Sequence, residues 1–283
     1  MRSLGQIKNR IRSISNTQKV TSALEMISVS KLNRIDKALF SLRPYLSEME
    51  RILNNLINSK DKISHPFIGT KTESSKLGLC VITSDSGLCG VYNSNIIRLA
   101  DEFVKNYGKD KIKLILIGKK GFNYFKKENA SILNAYLGLN GRYSSQVCDE
   151  ITKYLTDIYL SGQVDEIRVA YTHYKTALIL KPEIEKFLNI ETNEAEEEEY
   201  IYEKSKERVL EEIIPKYISL KMKQFILESF TSEHSARTVA MKTATDNADE
   251  LLRILTLLRN KVRQANITQE IMEIIASAEA LKG

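Results

Sequence analysis

The chain has 283 residues, of which 42% are hydrophobic and 28% charged, a balance that suits a core-forming globular protein of one large or two small domains. No apolar run is long enough to cross a bilayer, so no transmembrane helix is expected. Cys80, Cys89 and Cys148 are far apart and form no C-x-x-C pair, which argues against a disulfide framework or zinc site and for a reducing compartment.

The net charge of +6 is concentrated at one end. Residues 1–37 carry Arg2, Lys8, Arg10, Arg12, Lys19, Lys31, Arg34 and Lys37 against only Glu25 and Asp36, and the remainder is balanced. A patch of that kind meets an acidic partner, a phosphate backbone or an anionic surface.

In chain order, Leu4, Ile7, Ile11 and Ile14 recur in steps of three and four. The pattern resumes through Leu32, Ile35, Leu39, Leu42, Leu46, Met49, Leu53 and Leu56. This is the seam of a coiled coil, and it predicts a helix across residues 1–58, roughly 80 Å long at about 1.5 Å per residue. Pro44 removes a backbone donor and is expected to bend or open that helix. Residues 59–75 read as a linker.

Residues 76–190 read as an α/β domain. Leu77–Thr83 is a strand ending in a Ser-Asp-Ser-Gly turn, Asn95–Tyr107 a helix, Lys113–Ile117 a strand, Ser144–Leu160 a helix and Glu166–Tyr174 a strand. Ile179–Ile190, with Pro182 near its start, reads as an edge strand. Residues 191–205, with the run ETNEAEEEE, read as an acidic, solvated loop. From 206 to 283 a second long helix is expected. Its repeat runs through Ala248, Leu251, Leu255, Leu258, Val262, Ala265, Gln269, Met272 and Ala276. Neither helix can bury its stripe alone, so an antiparallel pair is expected. The fold class is thus a long antiparallel coiled coil of the terminal helices with a small Rossmann-like α/β domain between them.

No catalytic constellation is evident. The chain contains neither G-x-G-x-x-G nor G-x-x-x-x-G-K-[ST] nor G-x-S-x-G, the loops that cradle phosphates or present a serine nucleophile. The glycines in Gly118-Lys119-Lys120-Gly121 and Gly138-Leu139-Asn140-Gly141 read as turn glycines. His65, His173 and His234 lack metal-ligand spacing, and Cys89 reads as a small buried residue rather than a nucleophile. No cofactor or metal is expected. The C-terminal stretch 271–281 is apolar nearly all round a helix, including Met272, Ile275, Ala276 and Ala280, and such a helix wants to be enclosed by a large partner.

Four blocks carry a family resemblance. Asn16-Thr17-Gln18-Lys19-Val20-Thr21, continuing to Glu25-Met26 and Ser30-Lys31-Leu32, resembles the first helix of F-type ATP synthase γ subunits. Ile82 through Gly90 resembles the first strand and turn of their central domain. Ser232-Glu233-His234-Ser235-Ala236-Arg237 with Ala240 through Ala248, and Arg263-Gln264-Ala265-Asn266-Ile267-Thr268-Gln269-Glu270-Ile271, complete the set in family order. Ala276-Ser277 stands where the family usually has glycine, and Ser22 and Leu24 where relatives often carry Lys and Met. The cysteine-bearing insertion of chloroplast γ subunits has no counterpart.

The resemblance implies a non-catalytic central-stalk rotor of a proton-translocating F-type ATP synthase. It implies partners in the α and β subunits, the ε subunit and the membrane c-ring, and a peripheral place on the cytoplasmic face of a bacterial plasma membrane. It implies β-ring contacts through Arg10, Arg12, Lys19, Arg263, Gln264, Thr268 and Glu270, and a sleeve around Met272, Ile275, Ala276 and Ala280. Two rival readings fit parts of the chain: a nucleic-acid-binding coiled coil, through the basic first helix, and an enzyme using the α/β domain. The lack of interleaved aromatics weighs against the first and the missing phosphate loops against the second.

Overall fold

The computed structural model describes residues 4–58, 65–68, 76–190 and 205–280. The expected linker over 59–75 therefore lies outside the described residues except for 65–68, and the expected acidic loop over 191–205 except for Ser205. The elements are α1 (Leu4–Asn58), β1 (Leu77–Ile82), α2 (Tyr92–Tyr107), β2 (Ile112–Ile117), α3 (Lys119–Lys127), β3 (Ile132–Tyr136), α4 (Ser145–Leu160), β4 (Glu166–Tyr174), β5 (Leu180–Leu188) and α5 (Lys206–Ala280). Contacts group the chain into two units, Met1–Ile27 with Thr238–Gly283, and Ser28–Arg237.

In the larger unit the strand order is β3-β2-β1-β4-β5. The first four strands are parallel and β5 returns antiparallel along β4 as an edge. Every residue of β1 is buried, as expected of a central parallel strand covered on both faces. Successive side chains point to opposite faces, and two cores result. Leu77, Leu79, Val81, Leu114 and Leu116 pack with Ile96, Ala100 and Val104 of α2 and Phe125 of α3. Cys80, Ile82, Ile115, Ile117 and Val169 face α4, the Ile35–Leu56 stretch of α1 and the Leu210–Phe230 stretch of α5.

Two expectations change. The helix α3 and the strand β3 occupy the stretch between β2 and α4, to which no element is assigned from sequence, and Gly121 is helical rather than a turn glycine. Its missing Cβ is required because a Cβ there would sit 2.9 Å from Thr83 Oγ1. Pro44 lies inside α1, which continues past it to Asn58. Phe40 and Pro44 are both exposed, so the carbonyl that Pro44 leaves without a donor faces the wet side of the helix.

In the smaller unit α1 and α5 run antiparallel. Gln18 Nε2 donates to Asp249 Oδ1 and Thr21 Oγ1 lies 2.7 Å from Thr245 Oγ1. Ile7, Thr21, Met241, Ala248 and Leu255 are buried between them. The seam on α5 is rotated by one residue from the expected one. Leu252 and Arg259 are half-buried, whereas Leu251 and Leu258 are exposed. Burial on α5 ends at Val262, the position that the Gln18 and Thr21 register brings opposite the start of α1 at Leu4. The three-four repeat continues to Ala276, past the described residues of its facing helix.

Candidate functional site

In open α/β sheets, ligands bind at the carboxyl ends of the strands, where the strand order reverses. Here that crevice lies between β1 and β4. The turn after β1 is built to close rather than to cradle. The Asp85 carboxylate accepts hydrogen bonds from the backbone N–H groups of Lys119 (3.0 Å), Gly138 (2.9 Å) and Asn140 (2.7 Å). An internal anion thus takes the amides that a phosphate could have used. Thr83 Oγ1 donates to the Ile117 carbonyl and accepts from the Gly121 N–H, each at 2.9 Å. Cys89 is buried with its sulfur 3.0 Å from Asn93 Nδ2, and burial pushes its thiol above the usual range. That is the wrong direction for a nucleophile.

The crevice is filled by α5 itself, from Phe225 to Arg237, and Glu228, Ser229, Thr231, Ser232, Glu233, His234, Ser235 and Arg237 of that stretch are all buried. The fully buried Glu228 carboxylate receives Arg43 Nη2 at 3.1 Å, His173 Nδ1 at 2.5 Å and Gln224 Nε2 at 3.2 Å. Ser232 Oγ donates to the Thr172 carbonyl (3.1 Å) and Ser235 Oγ to the Ala177 carbonyl (2.8 Å). Arg237 Nη2 donates to Ser86 Oγ (3.2 Å) and its Nε to the Gly87 carbonyl (3.3 Å).

Arg237 Nη2 also lies 2.8 Å from Glu233 Oε1. Arg237 is thus the charge partner of the buried Glu233 carboxylate. Burial raises the Glu233 carboxyl above its ordinary value, with Arg237 opposing the shift. His234 is neutral: Arg237 Nη1 donates to its Nδ1 (3.2 Å) and its Nε2 donates to the Gly141 carbonyl (3.0 Å). Burial depresses its pKa to about 4. Among the described residues no group of three or more His, Cys, Asp or Glu side chains could hold a metal ion, and no helix is long and apolar enough to cross a membrane.

The residues singled out from sequence lie elsewhere. Arg10, Arg12, Lys19, Arg263, Gln264, Thr268 and Glu270 are all exposed on the two-helix unit. Thr268 Oγ1 turns back to the Gln264 carbonyl at 2.9 Å. None of these charged side chains has an ion pair among the described residues. Lys8, counted from sequence only within the basic segment, joins them, as do Arg253 and Lys261, which sequence reasoning missed. No carboxylate interrupts α1 between Leu4 and Leu24, or α5 between Leu251 and Gln269, and this absence of acids was the available signal. Beyond this collar Met272 (61% exposed), Ile274 (68%) and Ile275 (52%) stand in water. Ala276 is exposed as well, and Ala280 is the last residue of α5.

Also missed was a cleft of about 430 Å³ in the larger unit, where Lys31, Arg34 and Arg142 converge beside Ile35, Ala38, Gly141 and Tyr143. Lys31 Nζ donates to the Asn140 carbonyl at 3.1 Å, and burial, then the neighbouring Arg142, lowers its pKa.

Comparison with known proteins places this architecture. A family model described as ATP synthase matches residues 3–281. The ATP synthase gamma chain of Chlorobium phaeobacteroides is 38% identical over 294 residues, with all of both chains covered. That of Symbiobacterium thermophilum is 38% identical over 282 residues, covering 98% of each chain. A chain from the Euglena gracilis mitochondrial ATP synthase shares the fold, with a TM-score of 0.69 at 17% identity over 98% of this chain and 94% of that one. A chain from the Tetrahymena thermophila mitochondrial ATP synthase central stalk does so with a TM-score of 0.60 at 20% identity, over 80% of this chain and 99% of that one. With a ligand crevice closed by its own helix, a bare helical end and full-length relatives of one kind, the chain belongs to the ATP synthase γ-chain family.

Proposed function

We propose that the chain is the non-catalytic rotor of the central stalk in a proton-translocating F-type ATP synthase. It couples ion flow through the membrane sector to ATP synthesis or hydrolysis at the β subunits, and sits peripherally on the cytoplasmic face of the membrane. The observation that carries this reading is the end of α5: a helix with exposed isoleucines and methionine above a collar of cations that have no ion pair among the described residues. Exposed apolar surface of this kind marks an interaction site, and the collar supplies charge complementarity to an acidic wall.

Arg10, Arg12, Lys19, Arg263, Gln264, Thr268 and Glu270 contact the β ring in this reading, and Met272, Ile275, Ala276 and Ala280 turn inside the sleeve made by the α and β subunits. The larger unit meets the ε subunit and the c-ring. The F1 and c-ring assemblies from which the structural neighbours come support these partners. Co-expression with α and β subunits tests the reading. A stoichiometric complex is expected, with ATP turnover in the complex and none in the isolated chain; turnover by the pure chain overturns it. Removing 271–283 should weaken torque or assembly while leaving nucleotide binding by β intact. The collar also suits a phosphate backbone, and salt-dependent retardation of duplex DNA by the purified chain would favour that second reading.

A further inference from the structure

We propose that residues 225–237 of α5 are the key through which turning force on the sheet-bearing unit is handed to the helix. The proposal rests on the rotor reading and names where within this chain the load passes. At about 100° per residue, positions 228, 229, 232, 234, 235 and 237 point right around the helix circumference, leaving no wide sector free. Together these directions end on α1, on β4, on the β4–β5 turn, on the turn before α4 and on the turn after β1. Glu228 is held by Arg43 of α1 and His173 of β4. Ser229 Oγ accepts from the Thr172 N–H at 3.4 Å, and Ser232 Oγ bonds the carbonyl of the same residue. His234 reaches the Gly141 carbonyl before α4, Ser235 the β4–β5 turn at Ala177, and Arg237 the turn after β1 at Ser86 and Gly87.

Apolar packing alone resists separation but lets smooth surfaces slide. Directional bonds at several angles around one axis resist rotation about that axis, because any turn lengthens some of them. Burial strengthens them further, since the interior screens them less than water does. A segment needing only to be buried would carry leucines here, as buried polar networks contribute little net stability over apolar packing. These polar side chains instead sit where α5 passes through the sheet-bearing unit, and the helix runs on without a break to Ala280.

The test uses the assembled ATP synthase carrying Ser232→Ala with Ser235→Ala. These changes remove two hydroxyl donors, orphan no charge and add no bulk. Val104→Ala, on α2 in the opposite core, is the control for lost stability. The complexes should assemble and hydrolyse ATP without load at the unmodified rate. In single-molecule rotation with a probe on the sheet-bearing unit, the double variant should show a wider angular spread and a lower stall torque, with a loss of ATP synthesis at low driving force. Val104→Ala should lower the melting temperature and leave torque unchanged. Undiminished torque in the double variant, or an equal torque loss in Val104→Ala, overturns the key. Failure of the unmodified chain to assemble or rotate overturns the rotor reading instead.

Discussion

Two stretches of one helix reverse the usual relation between composition and burial. Residues 225–237, FILESFTSEHSAR, are rich in polar side chains and nearly all buried, whereas 267–279, ITQEIMEIIASAE, are rich in isoleucine and entirely exposed. Both belong to α5 and have nearly the same helical propensity. What differs is the neighbours. Around 225–237 the strand ends, two turns and α1 offer donors and acceptors at fixed positions, so carboxylates, an arginine and a histidine can be taken out of water. Around 267–279 the described residues supply nothing. Burial in a long helix is therefore assigned by what surrounds each turn, and an exposed apolar turn is a statement about another molecule.

The contrast is open to four measurements, taken from the largest expected effect to the smallest. Arg237→Leu should destabilise the chain by about 3–5 kcal/mol in urea denaturation, because Glu233 is left as a buried charge without compensation. The loss should be greatest at alkaline pH, where Glu233 cannot escape by taking a proton. Arg263→Leu in the exposed collar should stay within about 0.5 kcal/mol. Equal effects at the two sites would dissolve the contrast.

The second is a pH profile. His234 falls from the ordinary 6.5 to about 4 in the fold, chiefly through burial, with the charges of Arg237 and Lys31 adding to the shift. Between those values the unfolded chain binds more protons than the folded one. Stability is therefore whole above pH 6.5, is lost as pH falls, and is lower by as much as ~3 kcal/mol at pH 4. Glu233 acts with opposite sign: its raised carboxyl costs stability as pH climbs above the ordinary carboxylate value. His234→Gln should flatten the limb between pH 6.5 and 4, and an unchanged limb would remove His234 from the account.

Third, Gly141 has φ of +61°, and a Cβ there would lie 2.5 Å from His234 Nε2. Gly141→Ala should cost about 2–3 kcal/mol from backbone strain and the clash together. Gly138→Ala, at φ of +83° with nothing within 4 Å, should cost only the strain, about 1 kcal/mol. Thermal melts of both separate the tightness of the buried stretch from backbone conformation alone. Fourth, Ile271→Ser with Ile274→Ser should change the isolated chain by no more than about 0.5 kcal/mol, yet make the assembled complex dissociate more readily in dilution.

Much of the architecture was legible because it follows short-range rules. Leu32 through Leu56 kept their seam, the β1 and β4 runs fell where the β-rich stretches lay, and Pro182 marked an edge strand that pairs only with β4. The stretch KKGFNYFKK did not look helical because Gly121 weakens the pattern, and the reason for that glycine, Thr83, is far away in sequence. The edge strand β3 is short and half-buried throughout, so it lacks both the apolar run and the alternation that identify strands. Leu251 and Leu258 had the right spacing, but the facing residues of α1 selected Leu252 and Arg259. Arg43 and His173, which hold Glu228, and Ser86 and Gly87, which hold Arg237, lie on α1, on β4 and in the turn after β1, so periodicity along α5 carried no trace of their burial. The collar cations were legible as charge, but their unpaired state needed coordinates.

The end of burial at Val262 has one more consequence. The stretch from Arg263 to Ala280 is about five turns of helix standing alone, near the length at which isolated helices are marginal in water. Its amides should exchange with solvent far faster than those of Phe225–Arg237 in the free subunit. In the proposed reading, seating this end in a sleeve is then partly a folding reaction. Some of the contact energy is consumed in straightening a fraying helix, so the subunit can be inserted and withdrawn more easily than its apolar area alone would suggest.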